Sequence, residues 1–245
     1  MSAQQDLLDD EPRAAGPGFR LEPAVVLLSA SVLPVVWRYY GSAQFFQAHV
    51  SPALGGGQWV QLYGVLYSFA ACFLLMLVVP VLVGLLVLKR GPGCFGTRLG
   101  DWKAGLTIVA ALLPLVAVLL LWPSSRQGNF RAEYPLFRQA GRTLGLFVAY
   151  ELFYAVYYLG WEYFFRGFML FGLKDAVGAA NAVLISTIPS TILHIGKPAG
   201  EVFAAVVAGV VFGFIAIRTR SWLYVFLLHW LIGVGLDVLI VLSAS

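Results

Sequence analysis

The chain of 245 residues has few charged residues and only two cysteines. Both features limit the classes of protein to which it can belong. Only 11% of its residues are Asp, Glu, Lys or Arg and 60% are hydrophobic, whereas soluble domains carry about 25% charged residues. So little charge predicts an integral membrane protein. The two cysteines, Cys72 in an apolar run and Cys94 in a basic loop, are too few for a disulfide framework and are expected to stay unpaired.

The chain also lacks the features of a nucleic-acid-binding or secreted protein. Its net charge of +4 is spread along loops, with no cluster of basic and aromatic residues outside the apolar runs, so no nucleic-acid partner is expected. The polar segment 1–22 has no basic stretch before an apolar core, so we expect a disordered tail and no cleavable signal peptide. The expected surroundings of the remaining chain are the lipid bilayer.

Apolar runs predict an all-α polytopic membrane protein with about seven transmembrane helices, within a range of six to eight. A helix needs about 20 apolar residues to cross the hydrocarbon. The predicted spans are residues 23–36, 59–88, 104–122, 144–173, 176–195, 202–217 and 222–242. We divide them into N-terminal membrane helices, 23–143, and a C-terminal membrane core, 144–245, with a polar cavity.

The loops between these spans indicate orientation. Segments on the N-terminal side hold ten Lys and Arg residues, with Arg166 counted as loop, and the opposite side holds six. The excess predicts a cytoplasmic N-terminus. The Ala- and Gly-rich, Lys-poor composition indicates a bacterial inner-membrane protein. The longest polar connection, 126–142, interleaves arginines with Phe130, Tyr134 and Phe137 and is expected to lie on the membrane surface.

The segment Trp161–Gly167 places an acid and a base inside a long apolar run. Glu162 and Arg166 are four residues apart and share a helix face. An ionisable group at the centre of a membrane helix costs about 2.5–3.5 kcal/mol. Glu151, eleven residues earlier, falls within about 20° of the same face. This polar stripe must face protein or a water-filled cavity, either as a functional site or as an ion pair that only fixes helix packing.

Two of the three histidines lie in later apolar spans. His194 is at the end of one span and His229 is eight residues into the last, whereas His49 lies in a loop and receives no role. Each alone is more often a packing residue than a ligand. Asp237, eight residues after His229, is expected on an adjoining face. It could orient a histidine, pair with Arg166, or lie near the membrane surface.

Peptide-bond hydrolysis is the chemistry that needs these residue types together. A carboxylate can act as general base, and an imidazole can orient water or stabilise an oxyanion. Alternatively, Glu162, His194 and His229 can ligate zinc and generate hydroxide. The residues alone leave both schemes open, so no cofactor is certain and zinc is the candidate. The chain has no His-Glu-x-x-His helix, Gly-x-Ser-x-Gly elbow or phosphate loop.

Residues 144–239 resemble the CPBP or Abi family of intramembrane proteases, which includes the type II CAAX prenyl proteases. The family motifs Glu-Glu-x-x-x-Arg, Phe-x-x-x-His and His-x-x-x-Asn/Asp are similar to Trp161-Glu162-Tyr163-Phe164-Phe165-Arg166, Ser190-Thr191-Ile192-Leu193-His194 and His229-Trp230-Leu231-Ile232-Gly233. The chain departs from these motifs at Trp161, Ser190 and Gly233. Because the first glutamate is missing, Glu162 is left as the base, with Glu151 and Asp237 as possible supporting residues.

The resemblance implies a catalytic membrane core in which Glu162, Arg166, His194 and His229 meet in a cavity open to one side. It implies an intramembrane endopeptidase that cleaves a membrane-associated protein or peptide. The alternative is a non-catalytic immunity or scaffold protein on the same fold. A small transporter with a Glu/His proton relay is a third reading, but the chain shows no matching pair of Gly/Pro-broken helices.

Overall fold

The computed structural model describes residues 20–55, 57 and 59–243, and the predicted disordered tail lies almost entirely outside them. Seven principal helices account for most of the described chain. They are α1 Leu21–Tyr40, α2 Val60–Val87, α3 Trp102–Ser124, α4 Leu144–Val177, α5 Ala179–Ile192, α6 Ala199–Thr219 and α7 Leu223–Leu242. No strand forms within the described ranges. The predicted all-α polytopic fold is confirmed.

Six of the helical segments are long and apolar enough to cross a membrane. The first continues beyond α1, through short helical pieces that reach Ala53, whereas α5 has only 14 residues. The chain is therefore an integral multi-pass membrane protein. The six spans and α5 together match the seven predicted apolar runs.

Helix α4 occupies the centre of the bundle. It packs against α2 and α7 along its first half and against α5 and α1 towards its end. Every residue from Trp161 to Leu173 is buried, which explains why this stretch is aromatic and apolar on all sides. Gly160 allows α2 to approach closely, because a Cβ there would lie 2.9 Å from the carbonyl oxygen of Cys72.

The middle of α4 departs from regular α-helix. Residues Tyr163–Met169 form a π-helical stretch that contains Arg166. Such wide turns are rare in helices and often occur at functional sites. Arg166 itself is 3% exposed, so it lies inside the bundle and does not belong with the loop cations used to predict orientation.

The connection between α3 and α4, which the sequence predicts to lie on the membrane surface, packs its aromatic side chains into the bundle. It forms a short helix, Gly128–Glu133, and a turn whose aromatic side chains fold inward. Phe130, Tyr134 and Phe137 are all at most 7% exposed. They find apolar partners in α2, α4 and α7, which favours burial over an interfacial position.

Candidate active site

A cavity of about 450 Å³ opens at the end of the bundle opposite to the start of α1. Helices α1, α2, α4 and α7, the α3–α4 connection and the start of α6 enclose it. Its inner wall is aromatic and carries both membrane histidines, and its rim is polar. The residues on which the site is built are Tyr134, Tyr158, Trp161, His194, Lys197, Glu201 and His229. A cavity of this size can hold water and a short peptide segment.

Glu162 and His229 form the closest polar contact of the site. The Glu162 Oε1 and His229 Nδ1 atoms are 2.5 Å apart, which joins α4 to α7. Glu162 is fully buried and does not line the cavity, whereas His229 does. The carboxylate therefore lies behind the imidazole as seen from the cavity, and His229 Nε2 is the nitrogen left for a ligand there.

Arg166 completes this cluster from the same helix. Its Nη1 lies 3.3 Å from Glu162 Oε2 and 3.4 Å from Oε1, as the four-residue spacing predicts. Its guanidinium also sits 5.6 Å from the centre of the Phe212 ring, a cation–π contact that helps a buried cation. The predicted stripe on α4 therefore faces protein here, and Arg166 and His229 both donate to the Glu162 carboxylate.

Aromatic rings fix the orientation of His229. The rings of Tyr158 and Phe212 lie 4.6 and 5.4 Å from its imidazole. Gly233, one turn further along α7, leaves room for Tyr158: a Cβ at this position would lie 2.5 Å from the tyrosine hydroxyl oxygen. The departure from the family motif at Gly233 thus has a steric reason, because the Tyr158 hydroxyl occupies that space.

His194 lies just beyond the end of α5 and lines the same cavity. Its Nδ1 is 2.7 Å from the carbonyl oxygen of Ser190, so Nδ1 carries the proton and Nε2 is an acceptor. Burial lowers the pKa of His194 to about 4, because desolvation disfavours the imidazolium. Trp161 packs edge-on against this ring at 5.3 Å. The tryptophan that replaces the first motif glutamate is therefore a cavity wall beside His194.

Glu151 and Asp237 approach each other between α4 and α7, apart from the histidines. Both are buried, and none of their four carboxylate oxygens has a hydrogen-bond donor in the described part of the chain. The sequence left open whether Asp237 orients a histidine or pairs with Arg166. In the structure, Asp237 forms neither contact. Two carboxylates in contact in an apolar interior must hold at least one proton, because otherwise two buried like charges would be uncompensated.

The proposed ligand set for zinc does not fit as it is arranged. Glu162 Oε1 and His229 Nδ1 face each other, so a shared metal would have to separate them. Across the described residues, no group of three His, Cys, Asp or Glu side chains is placed to hold a metal ion. Zinc therefore remains a sequence-based prediction.

Sequence reasoning missed three residues of the cavity: Tyr134, Tyr158 and Glu201. Tyr134 was assigned to a surface segment, and Glu201 stands in the first turn of α6, where a carboxylate is an ordinary helix-start residue. Tyr158 was the one open to prediction, since it lies four residues before Glu162 on the same face.

Comparison with protein families identifies one match. Residues 135–234 match the family model described as type II CAAX prenyl endopeptidase, Rce1-like. The match includes Glu162, Arg166, His194 and His229, and it confirms the resemblance predicted from the motifs. No curated protein and no solved structure matches the chain. Over residues 135–234, this chain is therefore similar to the Rce1-like type II CAAX prenyl endopeptidases.

Proposed function

We propose that this protein is an intramembrane endopeptidase that hydrolyses a peptide bond in a membrane-associated protein or peptide. The observation that carries the proposal is the hydrogen bond between Glu162, which is fully buried, and His229, which lines the cavity of about 450 Å³. A carboxylate on one imidazole nitrogen holds the ring in place and makes the other nitrogen a better base. The family match supports the same reaction class.

In the proposed reaction, His229 is the general base. Its Nε2 takes a proton from a water molecule in the cavity, and the hydroxide attacks the scissile carbonyl carbon while the carbonyl electron pair moves to oxygen. The C–N bond then breaks, and His229 returns the proton to the leaving amine. Glu162 stabilises the imidazolium that exists between the two transfers, and Arg166 holds Glu162.

This assignment revises the role that the sequence predicted for Glu162. The sequence left Glu162 to take the proton of water itself, but its carboxylate is fully buried behind His229. We therefore propose that Glu162 orients His229 and stabilises its protonated form. Because Glu162 lies inside the bundle, where solvent screens charges only weakly, its charge acts strongly on the imidazolium of His229.

The other cavity residues supply binding groups. His194 presents Nε2 as a hydrogen-bond acceptor for a substrate amide, because Ser190 fixes its tautomer. Tyr158 packs against His229 with its ring tilted and lines the cavity, so its O–H group can donate to the developing oxyanion. Glu151 and Asp237 are left out of the reaction, since they lie outside the cavity lining.

The orientation of the chain in the membrane determines from which side a substrate reaches the cavity. The cavity opens between segments that lie at the end opposite to the start of α1. With the cytoplasmic N-terminus and bacterial inner membrane predicted from the sequence, the scissile bond would be reached from the outer leaflet. Labelling of the exposed Cys94, which lies in the α2–α3 loop at the N-terminal end, against a cysteine introduced at Gln47 on the rim, measures this sidedness in intact cells.

The test of the proposed function uses purified protein in liposomes and a prenylated CAAX peptide with a fluorophore and a quencher on either side of the cleavage site. Wild type is expected to cleave it, and His229→Gln and Glu162→Gln to lose on the order of 10³-fold in kcat/KM. His49→Ala is the matched control, because His49 is exposed and does not line the cavity.

Two results of this test would contradict the proposal. Normal cleavage by His229→Gln would remove the proposed base. Intact accumulation of wild type in the membrane without hydrolysis of this peptide, or of the C-terminal segments of co-expressed membrane proteins read by mass spectrometry, would favour a non-catalytic immunity or scaffold protein. Metal analysis of active protein, with and without chelator, decides the zinc alternative.

A further inference from the structure

Glu201 is a second acidic residue in the cavity, and the reaction described above does not use it. It lies in the first turn of α6 and lines the cavity together with His194 and His229. Its Oε1 accepts a hydrogen bond of 2.7 Å from the hydroxyl of Tyr134. Its Oε2 is buried and has no hydrogen-bond donor among the described residues.

The described groups around Glu201 fix its carboxylate but give Oε2 no hydrogen-bond donor. Tyr134 is 7% exposed, and Lys197 Nζ lies 4.8 Å from the centre of the tyrosine ring. The nearest cation is already committed, because Lys197 Nζ is paired with Glu133 at 2.5 Å. The N-terminus of α6 also favours a negative charge at this position. One carboxylate oxygen is thus fixed, and the other is left for a ligand.

Water is the ligand that this oxygen lacks. Buried acceptors are almost always satisfied, and ordered water satisfies those that protein groups do not reach. The adjoining cavity has room for several water molecules. Glu201 and the proposed base, His229, line the same cavity and interact electrostatically, so water in this cavity can reach both side chains.

We propose that Glu201 holds the attacking water, an inference that rests on the proposed protease function. The water donates one hydrogen to Glu201 Oε2 and the other to His229 Nε2, which leaves a lone pair of its oxygen directed at the scissile carbonyl. The hydrogen on the His229 side is the proton transferred. Glu201 keeps its charge throughout, and the returned proton goes from His229 to the leaving amine.

A purely structural role is the competing explanation. The Tyr134–Glu201 hydrogen bond also ties the α3–α4 connection to α6, so its loss could disturb the cavity wall. The two roles predict different effects for two substitutions. Removal of the Tyr134 hydroxyl breaks the tie and leaves the charge and Oε2 of Glu201 in place, whereas an amide at position 201 keeps an acceptor for Tyr134 and removes the charge.

The experiment compares Glu201→Gln, Tyr134→Phe and the control Glu22→Gln in the peptide-cleavage assay, with thermal melting of each purified variant. Glu22 is a matched control because it is a partly buried carboxylate paired with Arg90 at the far end of the bundle. For Glu201→Gln we expect kcat to fall on the order of 10²-fold, with KM within about threefold of wild type and an unchanged melting temperature. Tyr134→Phe is expected to lose less than about tenfold, since it removes one neutral hydrogen bond.

Two outcomes overturn the inference. If Glu201→Gln cleaves at the wild-type rate while His229→Gln is inactive, Glu201 does not hold the water, although the proposed function stands. If Glu201→Gln and Tyr134→Phe lose the same activity together with the same drop in melting temperature, the pair is a structural tie. Wild-type cleavage by His229→Gln would instead remove the proposed function.

Discussion

Two acidic clusters lie along the same interface between α4 and α7, and they are built in opposite ways. In the first cluster, Glu162 has His229 on one side and Arg166 on the other. In the second, Glu151 and Asp237 have each other and no donor among the described residues. A carboxylate inside this bundle is therefore stabilised in one of two ways. Hydrogen-bond donors stabilise it as an anion, or it shares a proton with a second carboxylate.

The difference also separates chemistry from structure. An ionised carboxylate beside an imidazole can stabilise a developing positive charge, so the first cluster can support proton transfer. The Glu151–Asp237 pair holds its proton between its own two carboxyl groups and does not line the cavity. In the proposed reaction, the Glu162 cluster is therefore the reactive one, and the Glu151–Asp237 pair is a contact between α4 and α7.

The largest expected effect comes from removing Glu162. Glu162→Ala leaves Arg166 and its 3% exposed side chain without a counter-charge. Breaking a buried pair in this way costs about 3–5 kcal/mol. Unfolding of purified protein in mixed micelles measures the loss. A Glu162→Ala/Arg166→Met double variant that is no more stable than Glu162→Ala would contradict this explanation, since it removes the orphaned cation.

A somewhat smaller effect is expected from pH, through His194. Its pKa falls from about 6.5 in the unfolded chain to about 4 in the folded protein. Because the unfolded state binds the proton first, folded-state stability should drop as pH falls from 6.5 to 4, by roughly 3 kcal/mol in total. Melting curves of wild type and His194→Asn across this range measure it, and the variant should show a flatter pH profile. Equal slopes would show that His194 titrates normally.

Filling the space above Gly233 should have a moderate effect. A methyl group there would lie 2.5 Å from the Tyr158 hydroxyl and force the ring away from His229. Overpacking of this kind costs about 1–3 kcal/mol. Gly233→Ala should lower both the melting temperature and kcat, whereas Gly233→Ala with Tyr158→Phe should recover stability. A stable, fully active Gly233→Ala would show that Tyr158 does not depend on this gap.

The smallest effect is expected in the second cluster. Glu151→Gln or Asp237→Asn replaces a shared proton by an amide that donates to the remaining carboxylate, so stability should change by less than about 1 kcal/mol. Cleavage activity should stay near wild type. The same assays used for Glu162→Ala give the comparison directly. A large activity loss in Glu151→Gln would place this pair in the reaction after all.

Much of this arrangement could be predicted from the sequence, and the reasons differ from residue to residue. Apolar runs gave α1 to α7, since a membrane span has a length requirement that few other segments meet. The four-residue spacing of Glu162 and Arg166 correctly predicted their contact. Family resemblance, and not periodicity, was needed to associate them with His194 and His229, because residues on separate helices have no spacing rule.

The remaining features depend on tertiary packing. Segment 126–142 reads as polar, yet Phe130 and Phe137 are drawn inward because neighbouring helices offer apolar surface. Asp237 meets Glu151 because of how α7 lies along α4, which its position on one helix does not reveal. Glu201 and Tyr134 were missed for the same reason, as each is unremarkable in its own segment.

The most direct test of the Glu162–His229 dyad is a double-mutant cycle on kcat/KM with Glu162→Gln, His229→Gln and the double variant. If Glu162 acts through His229, the double variant should be no slower than His229→Gln alone, since the base that Glu162 supports is already gone. Losses that multiply across the two single variants would show that Glu162 and His229 act independently, and would contradict the account.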